Sequence, residues 1–193
     1  MSHRNRLRSA WNRVDSGELH RAPRQWQPWL GDTGSLTQKL EKAIGQKLVV
    51  QVLRDHRQSL HRDEQHYFQN RVKRCRIREV LLCINETPLV IARSIIPTYS
   101  SSGSNHAILR LGTRPLGAVL FSKTRMHSKA RPQRDIARLD KNSMLWKGFQ
   151  KDGITSSSPL WARRTLYRLK GHPILVNEIF LPALLEYSAS ELT

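Results

Sequence analysis

The chain has 193 residues, 38% of them hydrophobic, and its 33 Lys and Arg against 15 Asp and Glu give a formal charge of +18. That length carries one domain with a real core and leaves little room for two. No apolar run approaches the roughly 20 residues that cross a bilayer. Residues 1–24 are Arg-rich, but Asp15 and Glu18 interrupt them, and they lack both the apolar centre of a secretory signal and the amphipathic stripe of a transit peptide. A field this basic attracts anions, whether nucleic acid, a small dianionic metabolite or an acidic membrane surface. The basic residues are spread along the whole chain and come with no zinc-finger spacing, helix-turn-helix spacing or RNA-binding aromatic signature. Charge alone therefore does not choose among these partners.

Residues 1–28 are polar and basic, with Trp11 and Trp26 among their few large anchors, and read as a partly ordered N-terminal arm. The folded domain is expected over residues 29–193. Ser35 precedes Leu36, Leu40 and Ile44, which share one face of a short helix, and Gly45 is its stop. Residues 48–53 read as a strand, and the charged stretch 54–70 as helix or exposed loop. Residues 75–84 and 88–96 are two apolar runs joined by Asn85, Glu86 and Thr87, the pattern of an antiparallel hairpin. The serine-rich residues 99–105 read as a flexible loop, and Pro115 as part of the first turn of a short helix reaching Phe121. Residues 123–158 are the least regular third, with an exposed insertion expected near 147–159. Residues 161–169 and 174–181 form a second hairpin around Lys170, Gly171, His172 and Pro173. Hairpins interleaved with short helices give an α+β domain built on an antiparallel sheet.

Several motifs lead nowhere. Asp32-Thr33-Gly34 matches the aspartic-protease triplet, but only one copy is present, and Asp32 or Ser35 serves more simply as a helix cap. His56, His61 and His66 are five apart, which scatters them around a helix, and they read as solvated side chains without a shared metal. Cys75 and Cys83 lie in one extended strand, about 26 Å apart at the usual rise, so they cannot bridge each other. Free thiols suit a reducing cytoplasm. No nucleophile elbow, phosphate loop or dinucleotide fingerprint is present.

The anomaly is Glu178, in the run Pro173-Ile174-Leu175-Val176-Asn177-Glu178-Ile179-Phe180-Leu181-Pro182. Alternation along a strand places it with Ile174, Val176 and Phe180, where an unpaired carboxylate is costly. The same parity places Arg78 with Val80, Leu82 and Ile84 in another apolar strand, making Arg78 the best candidate for its partner. Two readings stand side by side: a structural ion pair, or the polar end of a small-molecule pocket.

Three ordered blocks carry a resemblance: Ile77-Arg78-Glu79-Val80-Leu81-Leu82-Cys83, Thr113-Arg114-Pro115-Leu116-Gly117-Ala118-Val119-Leu120-Phe121, and Asn177-Glu178-Ile179-Phe180-Leu181-Pro182-Ala183. They resemble the chorismate pyruvate-lyase family, whose members make 4-hydroxybenzoate for ubiquinone synthesis. The resemblance spans about residues 29–187 and takes in Leu160-Trp161-Ala162-Arg163-Arg164. It implies a sheet of about six antiparallel strands packed with helices around an enclosed pocket. The family's ligand arginine falls on Arg78 and its ligand glutamate on Glu178, the two catalytic candidates. Its other ligand contacts fall on Leu116 and on Leu36, where the family has methionine. The implied substrate is chorismate, with no cofactor and no metal. The protein is then a cytoplasmic monomer with at most weak contact to an anionic membrane surface, and no nucleic-acid partner is expected. The competing reading is a basic nucleic-acid-binding module without catalysis.

Overall fold

A computed structural model describes residues 11–69, 72, 74–100, 108–121, 132–157 and 159–189. The serine-rich loop falls largely outside the described residues. In chain order the elements are β1 (Asn12–Arg13), α1 (Glu18–Arg21), α2 (Gln27–Leu30), α3 (Leu36–Ile44), β2 (Val49–Ser59), α4 (Arg62–Gln65), β3 (Arg74–Ile84) and β4 (Thr87–Ile96). They continue with α5 (Gly117–Leu120), β5 (Gln133–Leu139), α6 (Met144–Gln150), β6 (Leu160–Leu169), β7 (His172–Phe180) and α7 (Ala183–Ala189).

The strands form one antiparallel sheet in the order β1-β5-β6-β7-β4-β3-β2. Two hairpin-linked units, β2-β3-β4 and β5-β6-β7, join through the β4–β7 pair, where Ala92 lies opposite Glu178. The sheet has six long strands as expected. The seventh, β1, comes from residues 11–28, which the sequence assigns to the arm, and it extends the edge at β5.

Both faces of the sheet are covered, so the central strands β3, β4 and β7 are buried almost throughout instead of alternating between buried and exposed. On one face, here the front, α2, α3 and α7 contribute Trp29, Leu30, Leu36, Leu40, Ile44 and Leu184 to a cluster over Val80, Leu82, Ala92 and Phe180. A second front cluster gathers Leu116, Val119 and Leu120 over Tyr167, Ile174 and Val176. On the back, α6 packs Leu145, Trp146 and Phe149 over Leu81, Ile91 and Ile179. Leu60 and Phe68 cover Cys75, Ile77, Ile95 and Leu175 at the other end. Each face thus carries two apolar clusters with a polar belt between them.

Four expectations change. The strand expected over 48–53 continues to Ser59, because its polar residues face solvent on an edge strand while its hydrogen bonds to β3 persist. The irregular stretch 123–158 contains β5 and α6; Arg134, Asp135 and Arg138 disguise a strand whose charges are buried or at its end. Of the expected insertion, residues 147–150 belong to α6, and exposed chain follows, with Asp152 taking two hydrogen bonds from Arg54. His56 and His66 are exposed as expected, but His61 is largely covered, and burial holds its pKa below the ordinary value. Cys75 and Cys83 are free and buried, with the Cys75 thiol pushed up to about 12, chiefly by burial.

Candidate active site

The front polar belt opens onto a cavity between the two front clusters. Its wall is Arg78, Val80, Leu82, Ala92, Ser94, Val176 and Glu178 from the sheet, with Tyr167 beside them. Its cover is the start of α3, through Leu36 and Thr37, and the turn into α5, through Leu116, Gly117 and Leu120. Ser35 begins α3 by accepting the Gln38 N–H, leaving the N–H groups of the first turn directed toward the cavity end of the helix. Gly117 lets α5 come close to that cap: a Cβ there would lie 3.1 Å from Ser35 Oγ. The cavity encloses about 50 Å³, room for a water or two. An aromatic ligand enters only if this helical cover shifts.

Arg78, Glu178, Leu116 and Leu36 all reach this one cavity. The expected Arg78–Glu178 ion pair, however, is absent. Glu178 Oε2 accepts from Arg163 Nε at 2.6 Å, and Arg163 lies directly opposite it on β6. The reason is the turn. The hairpin loop is only Lys170 and Gly171, both at positive φ, where the sequence reading allowed four residues. Shortening the loop by two residues moves the position opposite Glu178 from Thr165 to Arg163. Arg163 also donates through Nη1 to the carbonyls of Trp29, at 2.9 Å, and Asp32, at 2.8 Å, tying the loop before α3 to the catalytic-candidate acid.

Arg78 lies on β3, across β4 from Glu178 and two residues along, so the two Cα atoms are about 12 Å apart at usual strand spacing and rise. That gap suits a ligand between them better than a direct pair. Arg78 Nη2 donates to the carbonyls of Gly112, at 2.8 Å, and Arg114, at 3.1 Å, fixing the turn that carries Leu116. Its Nε has no hydrogen-bond acceptor among the described residues; the nearest acid, Asp55, is 3.8 Å away. Burial pushes the pKa of Arg78 down, with Asp55 working against that shift. The result is a buried cation with a long ion pair to an acid that Arg76 already holds by two hydrogen bonds. The Tyr167 phenol is raised by burial first and then by Glu178, so it stays protonated as a donor.

Arg163, Tyr167 and Arg134 were not singled out by sequence reasoning. All three share the front face once the short turn sets the register, with Arg134 opposite Thr165 on β5. Alternation within Arg163-Arg164-Thr165 was the available signal, since one of two adjacent arginines in a strand must face each way. Among the described residues, no group of three His, Cys, Asp or Glu side chains converges as metal ligands would.

A model of the family described as "Chorismate lyase" matches residues 6–189. A probable chorismate pyruvate-lyase of Thiobacillus denitrificans is 37% identical over 164 residues, covering 85% of this chain and 86% of that one. A probable chorismate pyruvate-lyase of Methylococcus capsulatus is 36% identical over 166 residues, covering 85% and 99%. Among solved structures, the effector domain of PhnF from Mycobacterium smegmatis superposes with a TM-score of 0.55 at 13% identity, covering 79% of this chain and 91% of that one. That likeness is one of fold.

Proposed function

The chain belongs to the chorismate lyase family, and from that premise we propose that it removes pyruvate from chorismate to give 4-hydroxybenzoate, the first step feeding ubiquinone synthesis. The observation that carries this reading is the cavity itself: one buried arginine and one buried glutamate are its only charged lining among the described residues, at separate points of a largely apolar wall.

Chorismate loses its enolpyruvyl group by cleavage of the ether C–O bond. The proton on the neighbouring ring carbon departs, the ring becomes aromatic, and the released enolpyruvate takes up a proton at its methylene carbon to become pyruvate. Aromatisation supplies the driving force, so the protein has mainly to hold the substrate in a reactive conformation and place charge. Arg78 grips the ring carboxylate through its unsatisfied Nε, and backbone N–H groups at Leu116 and Leu36 complete that anion site. Glu178 faces the hydroxyl end of the ring and handles the proton, with Arg163 holding its carboxylate in one orientation. The mobile part is the cover formed by α3 and α5, and product release through it limits turnover. The enzyme works as a cytoplasmic monomer with at most weak contact with anionic membrane, which sedimentation velocity and vesicle sedimentation measure.

Purified protein given chorismate without added metal should form a product with the ultraviolet absorbance of 4-hydroxybenzoate and an equal amount of pyruvate. Absence of both ends the reading. Glu178→Gln should lower kcat by about 10² to 10⁴-fold, the usual range for general acid–base catalysis. Full turnover in that variant would remove Glu178 from proton transfer.

A further inference from the structure

We propose that Arg134, together with the unused Nη2 of Arg163, is the site for the second carboxylate of the substrate, the one on the enolpyruvyl side chain. This rests on the reading of chorismate as substrate and adds a residue that decides specificity. Arg134 is 9% exposed, yet neither its Nε nor its Nη2 has an acceptor among the described residues. Arg163 is 1% exposed and fully engaged at Nε and Nη1, but its Nη2 is likewise without one. Buried donors are normally satisfied, and a buried guanidinium without an acceptor is costly. The open Nη2 of Arg163 adds to that cost, and burial followed by the charge of Arg163 pushes Arg134 below the ordinary arginine range. An anion seated between them removes both penalties.

The place is right for that anion. Arg134 and Arg163 sit on neighbouring strands of the front face, and the groups that Arg134 feels most besides Arg163 are Tyr167, Glu178 and Asp32. Tyr167 and Glu178 line the cavity, and Asp32 is spoken for, pairing with Lys39 at 3.2 Å. The single acid that Arg163 holds is Glu178, which leaves one net positive charge across Arg134, Arg163 and Glu178. Chorismate carries two carboxylates, and Arg78, on the far side of β4, serves only one. With the hydroxyl end of the ring at Glu178, the adjacent ether carbon places the enolpyruvyl carboxylate beside Arg163 and Arg134. After C–O cleavage the same two arginines hold the departing enolpyruvate.

The two products separate this subsite, which adjoins the cavity at Tyr167 and Glu178, from the Arg78 end, because 4-hydroxybenzoate lacks the second carboxylate. Arg134→Met should lower kcat/KM for chorismate by about tenfold to a hundredfold, the scale of one charged hydrogen-bonded contact. Its affinity for 4-hydroxybenzoate should change less than about threefold. Pyruvate binding, followed by ligand-observed NMR on wild type, should be lost in Arg134→Met and partly kept in Arg134→Lys. The lysine variant also covers the case in which the methionine variant does not fold. Unchanged kcat/KM and pyruvate binding would overturn the proposal, and so would equal losses for pyruvate and 4-hydroxybenzoate. If wild type bound pyruvate through Arg134 but did not turn over chorismate, the subsite would stand and the reaction would fall.

Discussion

The two faces of the sheet carry similar residues and treat them differently. On the back, one residue from each strand falls into a single row in register: Arg13, Asp135, Arg164, Asn177, Arg93, Glu79 and Arg54. Each guanidinium nitrogen of Arg93 has an acceptor, with Nε and Nη2 bonding Glu64 and Nη1 bonding Glu79. Arg164 is equally engaged, by Asn177 and by the carbonyl and carboxylate of Asp63, and its plane lies 4.0 Å over Trp11. Arg54 uses its three nitrogens on Glu79 and Asp152. On the front, Arg78, Arg134 and Arg163 all keep donors without acceptors among the described residues. Arginines whose donors are all taken up, as in Arg93, Arg164 and Arg54, fasten the strands to one another and to the helix α4 above them. The unsaturated donors at the front are the ones to which the proposed substrate carboxylates are assigned. Buried charge alone did not distinguish a structural pair from a site; the count of acceptors is what sets the two faces apart.

This contrast can be broken or sharpened by experiment. The largest effect on stability is expected at the back. Glu64→Ala removes the acceptor of Arg93 Nε and Nη2 and of Asn177 Nδ2 in a fully buried place, leaving Arg93 only Glu79, and should cost about 3–5 kcal/mol in a denaturant titration. A loss below about 1 kcal/mol would mean that the row is not a fastening. At the front, Arg78→Lys keeps the charge but loses the planar fork, so 4-hydroxybenzoate affinity should fall about tenfold. Its unfolding midpoint should move far less than that of Glu64→Ala.

His61 offers a milder test at the back. Burial keeps its folded-state pKa below the unfolded value, so below neutrality the unfolded chain takes up more protons than the folded one. Stability should therefore decline as pH drops through the unfolded value toward the lower folded one. Part of that slope should vanish in His61→Gln, and an identical slope in both proteins would show that His61 is not its source. The smallest effect is expected at Leu36→Met, which conserves volume: less than about 1.5 kcal/mol in stability and little change in kcat/KM, since the proposed contact is a backbone N–H. A large loss of activity would show that the Leu36 side chain itself meets the substrate.

Local pattern determined a good deal of this protein. Alternation in β3 and β7 placed Arg78 and Glu178 on the apolar face that the cavity occupies, because a strand has no choice about the period of its side chains. The Ser35 cap, the face of Leu36, Leu40 and Ile44, and both central hairpins are likewise local, set by capping and periodicity. Ordered blocks around Arg78, Leu116 and Glu178 carried the family. What the chain alone did not settle was pairing across strands. A two-residue turn at Lys170 and Gly171 chose Arg163 over Thr165 as the neighbour of Glu178, and the β4–β7 junction set how far away Arg78 stands. β5 was hidden because its arginine and aspartate are satisfied or left open by residues distant in sequence, such as Tyr67, which donates to Asp135. Whether a buried charge has a partner depends on side chains brought together from several strands, and only the tertiary structure decides that.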